Sequence, residues 1–200
     1  MYHAIRFLVA MVLMLLITCL IRQSGRQIRR KGITILAVVC VLCGSLLDRF
    51  PVENKLFAFS SPEEVFRYTN FERICDVVYG RDSCMVIYSS GPSTYSHAFV
   101  GRSQDSYFIL PQYSGVQLAR NFKDARIINT YRVKNTDDYY IVVFFDYGTE
   151  VELFNGSGKV DTHIVECGES GYFSTFYVYV ENLSEEHYLL VDEEVVNIIG

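Results

Sequence analysis

Residues 1–47 of this 200-residue chain contain no aspartate or glutamate. Their charged residues are all basic: Arg6, Arg22, Arg26, Arg29, Arg30 and Lys31. The remainder holds 12 Lys/Arg against 23 Asp/Glu, a net of −11, while the whole chain carries only −5. Such asymmetry excludes one mixed globule and points to two parts in separate environments. A part this acidic lacks the cationic surface that neutralises phosphates, which excludes nucleic acid as its partner. Anionic cell-wall polymers and lipid headgroups are disfavoured for the same reason.

Signatures of chemistry are also missing. There is no nucleophile elbow and no glycine-rich oxyanion turn. His97, His163 and His187 stand singly, without metal-ligand spacing, and no loop has the spacing of a calcium site. No cofactor is expected. Cys84 and His97 form the one thiol–imidazole pairing to weigh. The runs Glu185-Glu186 and Asp192-Glu193-Glu194 read as solvated turns that also discourage edge pairing. Tryptophan is absent, so the aromatic content rests on 15 Tyr and 14 Phe.

Two apolar runs, about 5–21 and 32–47, have no polar face. A helix hydrophobic all round needs lipid or a large protein about it. With Arg6 snorkelling, the first run approaches the roughly 20 residues that span a bilayer. Between the runs, loop 22–31 carries Arg22, Arg26, Arg29, Arg30 and Lys31, a cytoplasmic mark under the positive-inside rule. These features predict a transmembrane helical hairpin over 1–47, with the N-terminus and the C-terminal domain both outside. Ala37, Cys40 and Gly44 share a face suited to close packing on the first span. A cleaved signal peptide over 1–21 fits less well. It would put the basic loop on the wrong side, there is no Ala-x-Ala site, and Thr18 is a poor residue before Cys19 for a lipoprotein box.

Residues 48–60 read as a linker, and a β-rich domain is expected over 61–200. Ser61-Pro62-Glu63-Glu64 opens a short helix: Ser61 caps, Pro62 suits the first helical position and Glu64 completes a capping box. Expected strands are 74–79, 84–89, 95–101, 106–110, 116–119, 126–134, 139–147, 150–154, 160–165, 172–180, 188–191 and 194–199. Segments 85–88 and 140–145 are apolar on both faces and predict central strands. Segment 126–134 alternates and predicts one wet face, carrying Arg126, Thr130, Arg132 and Lys134. The fold class is therefore mainly β. It is an antiparallel sheet domain (meander, sandwich or barrel-like) after one short helix, plus the two-helix transmembrane hairpin.

Segment 172–180 offers two faces, one with Tyr172 and the other with Tyr177 and Tyr179. An exposed tyrosine stripe would suit protein recognition, whereas a two-layer fold would cover both faces. Cys19, Cys40 and Cys43 read as small apolar residues of the spans. Cys75 and Cys84 lie too far apart across their hairpin to bridge, and a bond from Cys167 to one of them is left open.

The Ser-Pro-Glu-Glu-Val-Phe opening and the strands after it, over 61–110, resemble small uncharacterised membrane-tethered or lipoprotein domains of Gram-positive bacteria. The resemblance implies a helix before a β-meander and supplies no catalytic residues. The functional expectation is a membrane-anchored extracytoplasmic module that binds a protein or envelope component, or an accessory subunit of a membrane complex. The alternatives are a cell-surface hydrolase using a thiol or carboxylate, and a sensor or regulatory subunit.

Overall fold

The computed structural model describes residues 2–23, 38–39, 41–42, 44, 51–91, 94–104, 106–111, 114–123, 126–146, 148–162, 164–167 and 173–199. Helix α1 (Tyr2–Gln23) comes first; a short 3-10 turn (Val52–Lys55) and α2 (Pro62–Thr69) lead into the sheets. The chain then forms β1 (Arg73–Tyr79), β2 (Ser83–Gly91), β3 (Thr94–Ser103) and β4 (Ser106–Ile109). Next come β5 (Gly115–Lys123), β6 (Arg126–Val133) and β7 (Asp138–Asp146). They are followed by β8 (Val151–Asn155), β9 (Gly158–Lys159), β10 (Ile164–Cys167) and β11 (Phe173–Glu181). Strands β12 (Tyr188–Val191) and β13 (Glu194–Asn197) complete the set.

The strands build three antiparallel sheets: β1-β2-β3-β4, β10-β11-β7-β6-β5 and β13-β12-β8-β9. The five-stranded sheet is the middle layer. Strict alternation along β7 and β11 makes this possible. Tyr140, Val142 and Tyr177 pack toward the first sheet, while Ile141, Val143, Phe145, Phe176, Val178 and Val180 pack toward the third. The first sheet is covered twice as well. Met85 and Ile87 of β2 face the middle sheet, whereas Cys84 and Val86 face Val65 and Phe66 of α2. The order of layers is thus helix, sheet, sheet, sheet, and the doubly apolar segments 85–88 and 140–145 are interior strands as expected.

Helix α2 starts where expected. Ser61 has an extended backbone and its Oγ accepts from the Glu64 N–H at 3.2 Å. The return bond differs by one residue. Glu64 Oε2 accepts from the N–H and the hydroxyl of Ser60, at 2.8 and 2.9 Å, rather than from Ser61. Those bonds, the Ser60 N–H above all, hold the Glu64 carboxyl below the usual carboxylate range.

Four expectations change. Among the described residues no helix is long and apolar enough to cross a membrane, so the two-helix hairpin is not supported as a pair of observed spans. Of the second run, only 38, 39, 41, 42 and 44 are described, all helical. Arg26, Arg29, Arg30 and Lys31, and the side chain of Arg22, lie outside the described residues.

Secondly, the expected linker is docked from Pro51 onward. The Asn54 side chain bonds both backbone groups of Ile109, at 2.8 Å each, and Phe59 bridges to Tyr107 and is buried. An asparagine amide here completes the edge of β4 as another strand would. Thirdly, the face of β6 expected to be wet is covered in its middle. Thr130 is buried and donates to the Ile198 carbonyl at 3.0 Å, because the chain's last segment lies over it. Arg132 lies over the Tyr139 ring, and its side chain is largely exposed. Fourthly, the expected strand 160–165 is not continuous: β9 ends at Lys159 and β10 begins at Ile164. The Val160 N–H donates to Leu153 in the third sheet, whereas β10, from Ile164 on, joins the middle one.

The cap gives a direct check of the link from sequence to helix. Ser61→Ala in the full chain should cost about 0.5–2 kcal/mol, since the orphan N–H loses its acceptor. Denaturant titration in detergent reads this as a lower midpoint, and an unchanged midpoint would remove Ser61 from the account.

Candidate functional site

A cluster of buried polar groups lies between the first and middle sheets. Asp138 opens β7 and is fully buried. Its Oδ1 accepts from the Arg81 N–H at 3.2 Å and the Tyr179 hydroxyl at 2.9 Å. Its Oδ2 accepts from the Asp82 N–H at 2.8 Å and the Ser83 hydroxyl at 2.6 Å. Ser83 Oγ also lies 3.0 Å from the Tyr140 hydroxyl. The donors of Arg81 and Asp82 belong to the β1–β2 turn, that of Ser83 to the start of β2, and those of Tyr140 and Tyr179 to the middle sheet. Gly80 makes this closeness possible. A Cβ there would lie 2.5 Å from the Tyr140 hydroxyl and 2.9 Å from Asp138 Oδ2. Arg102 completes the set, donating from Nη1 to the Gly80 carbonyl at 2.9 Å, and Arg81 pairs with Glu181 at 2.8 Å on the rim.

Beside this knot lies an aromatic layer. The His97 ring sits 4.8 Å from that of Tyr131, 5.4 Å from Phe99 and 6.3 Å from Tyr177, each edge-on. Phe99 continues to Tyr140 at 5.4 Å, and Tyr140 to Tyr179 at 5.5 Å. Such pairs contribute about 0.5–1.5 kcal/mol each beyond their burial. Desolvation by these rings lowers the His97 pKa to about 4, so the imidazole is neutral at pH 7. Among the described residues it has no hydrogen-bond partner.

The geometry separates the residues that sequence reasoning had brought together. Cys84 pairs with Val100 and faces α2, while His97 pairs with Ile87 and faces the middle sheet. They stand on opposite faces of one sheet, so no thiol–imidazole couple forms. Burial also pushes the Cys84 thiol up to about 12, the reverse of an activated nucleophile. Tyr177 is buried and Tyr179 half-buried with its hydroxyl on Asp138, so these two make no exposed stripe. Tyr172 and His163 lie outside the described residues. Among the described residues no His, Cys, Asp and Glu cluster could hold a metal.

Asp138, Ser83 and Tyr140 were missed because 135–138 and 80–83 are each a run of turn residues. The available signal was an acid placed directly before a doubly apolar strand. The four donors to its carboxylate are all internal to the domain. What this arrangement does is dock one sheet on another.

Keeping His97 neutral has a pH consequence. Its folded pKa lies below the unfolded value of about 6.5, so the unfolded chain binds the proton first. Stability from this group is complete above pH 6.5 and is lost as pH falls toward 4. At about 1.4 kcal/mol per pH unit, the loss between pH 7 and 5 is about 2 kcal/mol. His97→Phe keeps a ring and removes the proton, so the wild-type minus variant stability should shrink by that amount over the interval. A pH-independent difference in denaturant titrations would show that His97 is not desolvated.

No family model, curated protein or solved structure matches the chain.

Proposed function

We propose that this chain is a membrane-anchored module whose acidic β-domain is held outside the cell to engage a protein or envelope partner, as a binding or accessory subunit. The observation that carries the anchorage is the surface of α1. Its backbone is helical for 22 residues, about 33 Å at 1.5 Å per residue. Leu8, Val9, Met11, Val12, Leu15, Leu16 and Ile17 are all exposed on it. Successive positions at 100° spacing carry that apolar surface around most of the helix, which water disfavours and hydrocarbon tolerates. Among its described side chains, only Arg6, Ala10, Met14 and Thr18, one row at i, i+4, form a half-buried stripe. In the second run Val38, Val39, Val41 and Leu42 are exposed too, while Gly44, from the small-residue face, is buried.

The orientation has independent support. The Arg6 guanidinium forms a two-pronged pair with the Glu53 carboxylate, Nε donating to Oε1 at 2.9 Å and Nη2 to Oε2. Arg6 lies near the start of α1 and Glu53 just before the domain. Their pairing puts Glu53, and with it the entry to the domain, at the end from which α1 sets out. Gln23 ends α1 at the opposite end, and the basic residues that follow it in the sequence are those the positive-inside rule assigns to the cytoplasm. The same pair explains how an arginine is accommodated beside an apolar run: its charge meets a carboxylate at the membrane edge. A net charge of −11 after residue 47 favours a cationic partner surface over an anionic one.

The test is topological. In a Cys75→Ser background, single cysteines are placed at Ser24 and at Ser157 in the β8–β9 turn. A membrane-impermeant thiol reagent applied to intact cells should label position 157 and spare position 24. Labelling at 24 alone would reverse the orientation, and labelling at both would mean that no membrane separates the loop from the domain.

A further inference from the structure

Strand β1 forms one edge of the first sheet and packs across β10 and β11 of the middle sheet. Its pairing with β2 slips once. Ile74 opposes Tyr88, yet Asp76 opposes Ile87, so Cys75 is the extra residue of a bulge. Further along, Val78 faces the middle sheet and Val77 faces α2. Uninterrupted alternation from Val77 would send Cys75 toward α2, away from β10. Ile74, however, already packs on the α2 side. The phase therefore flips between 74 and 76, and counting from Ile74 puts Cys75 on the side of the middle sheet. A bulge re-aims a side chain in this way.

Across the seam, Cys167 ends β10, one of the two strands that β1 packs across. Cys167 faces the first sheet from the middle one, among Val165 and Tyr177. Burial, and next the neighbouring Cys75 thiol, push its pKa up to about 12. Tyr177, on β11 opposite Val165, is raised by burial first and then by Cys167 and Cys75 in turn. Both cysteines are free thiols, Cys75 exposed and Cys167 buried. Cys84, by contrast, lies on the α2 face behind β2.

We propose that Cys75 and Cys167 are a redox-closable thiol pair, which on exchange with a small disulfide forms a covalent bond across the seam between the first and middle sheets. The ligand class is a disulfide such as oxidised glutathione. The exposed Cys75 thiolate attacks one sulfur of that disulfide, releasing one glutathione thiolate and leaving the other as a mixed disulfide on Cys75. The Cys167 thiol then gives up its proton and attacks the Cys75 sulfur, forming the Cys75–Cys167 bond and expelling the second glutathione. Two protein thiols are oxidised and one glutathione disulfide is reduced to two thiols, so atoms and electrons balance. The slow step is the second, because the buried Cys167 thiol parts reluctantly with its proton. Closure would tie down the seam at the β10 edge, while Asp138 holds the turn end of β1.

The experiment uses the full chain in detergent, incubated with oxidised glutathione, quenched by alkylation and mapped by peptide mass spectrometry without reduction. The expected result is one cross-linked pair of peptides carrying Cys75 and Cys167, together with a raised thermal midpoint. Dithiothreitol should reverse both. Cys167→Ser should halt the reaction at a glutathione adduct on Cys75. The wild-type map decides the matter even if that variant folds poorly. A glutathione adduct persisting on wild-type Cys75 with Cys167 recovered as a free thiol would overturn the proposal, as would a link from Cys75 to Cys84 or to a second chain. Membrane orientation is not needed for either result.

Discussion

The docking of the first sheet on the middle one depends on one buried carboxylate. Removing Asp138 from water costs several kcal/mol, and the cost is met only because four donors converge on it. Hydrogen bonds to a charged group contribute about 1.5–3 kcal/mol each. Two of those donors are backbone N–H groups of Arg81 and Asp82, in a turn that would otherwise be solvated. The carboxylate thus fixes the β1–β2 turn onto the start of β7. That placement sets the relative position of the first and middle sheets at this end, and the rings of Tyr140 and Tyr179 supply both a wall and a hydroxyl. Apolar packing alone would let two aromatic-rich sheet faces slide over each other. A satisfied polar knot specifies one register.

From that fixed point the remaining architecture follows by alternation. Residues of β7 and β11 divide cleanly between the two interfaces of the middle sheet, so each strand feeds two cores at once. Strand β2 does the same between α2 and the middle sheet. Three groups that sequence or burial singles out are committed to packing. Cys84 lies under α2, His97 is ringed by aromatics, and Asp138 is closed by donors. The exterior carries an apolar surface on α1, and the sequence after residue 47 is strongly acidic.

Local signals were legible and non-local ones were not. The Ser61, Pro62 and Glu64 cap declares itself within four residues, and segments 85–88 and 140–145 announce that both their faces are covered. The fate of Tyr177 and Tyr179 could not be read from 172–180, because it is settled by which sheet lies opposite. The same holds for Thr130, covered by the carbonyl of Ile198 sixty-eight residues on. Asp138 was hidden for a sharper reason. Its sequence context, Asn135-Thr136-Asp137-Asp138, is that of an ordinary turn, and only the distant turn at 80–83 gives it a buried role. The stretch 48–60 looked like linker because its bonds to β4, through Asn54 and Phe59, replace strand pairing with an amide side chain and a single bridge.

The claim that Asp138 holds the sheets together is tested most directly by native-state hydrogen exchange on the unmodified chain. The amides of Arg81 and Asp82 sit in a turn with exposed side chains, where exchange is ordinarily fast. If the carboxylate binds them as described, they should exchange only through the same opening that exposes the core amides of β7 and β11. Their protection should then match those strands. Exchange of Arg81 and Asp82 at the rate of an unstructured turn, with β7 still protected, would contradict the account.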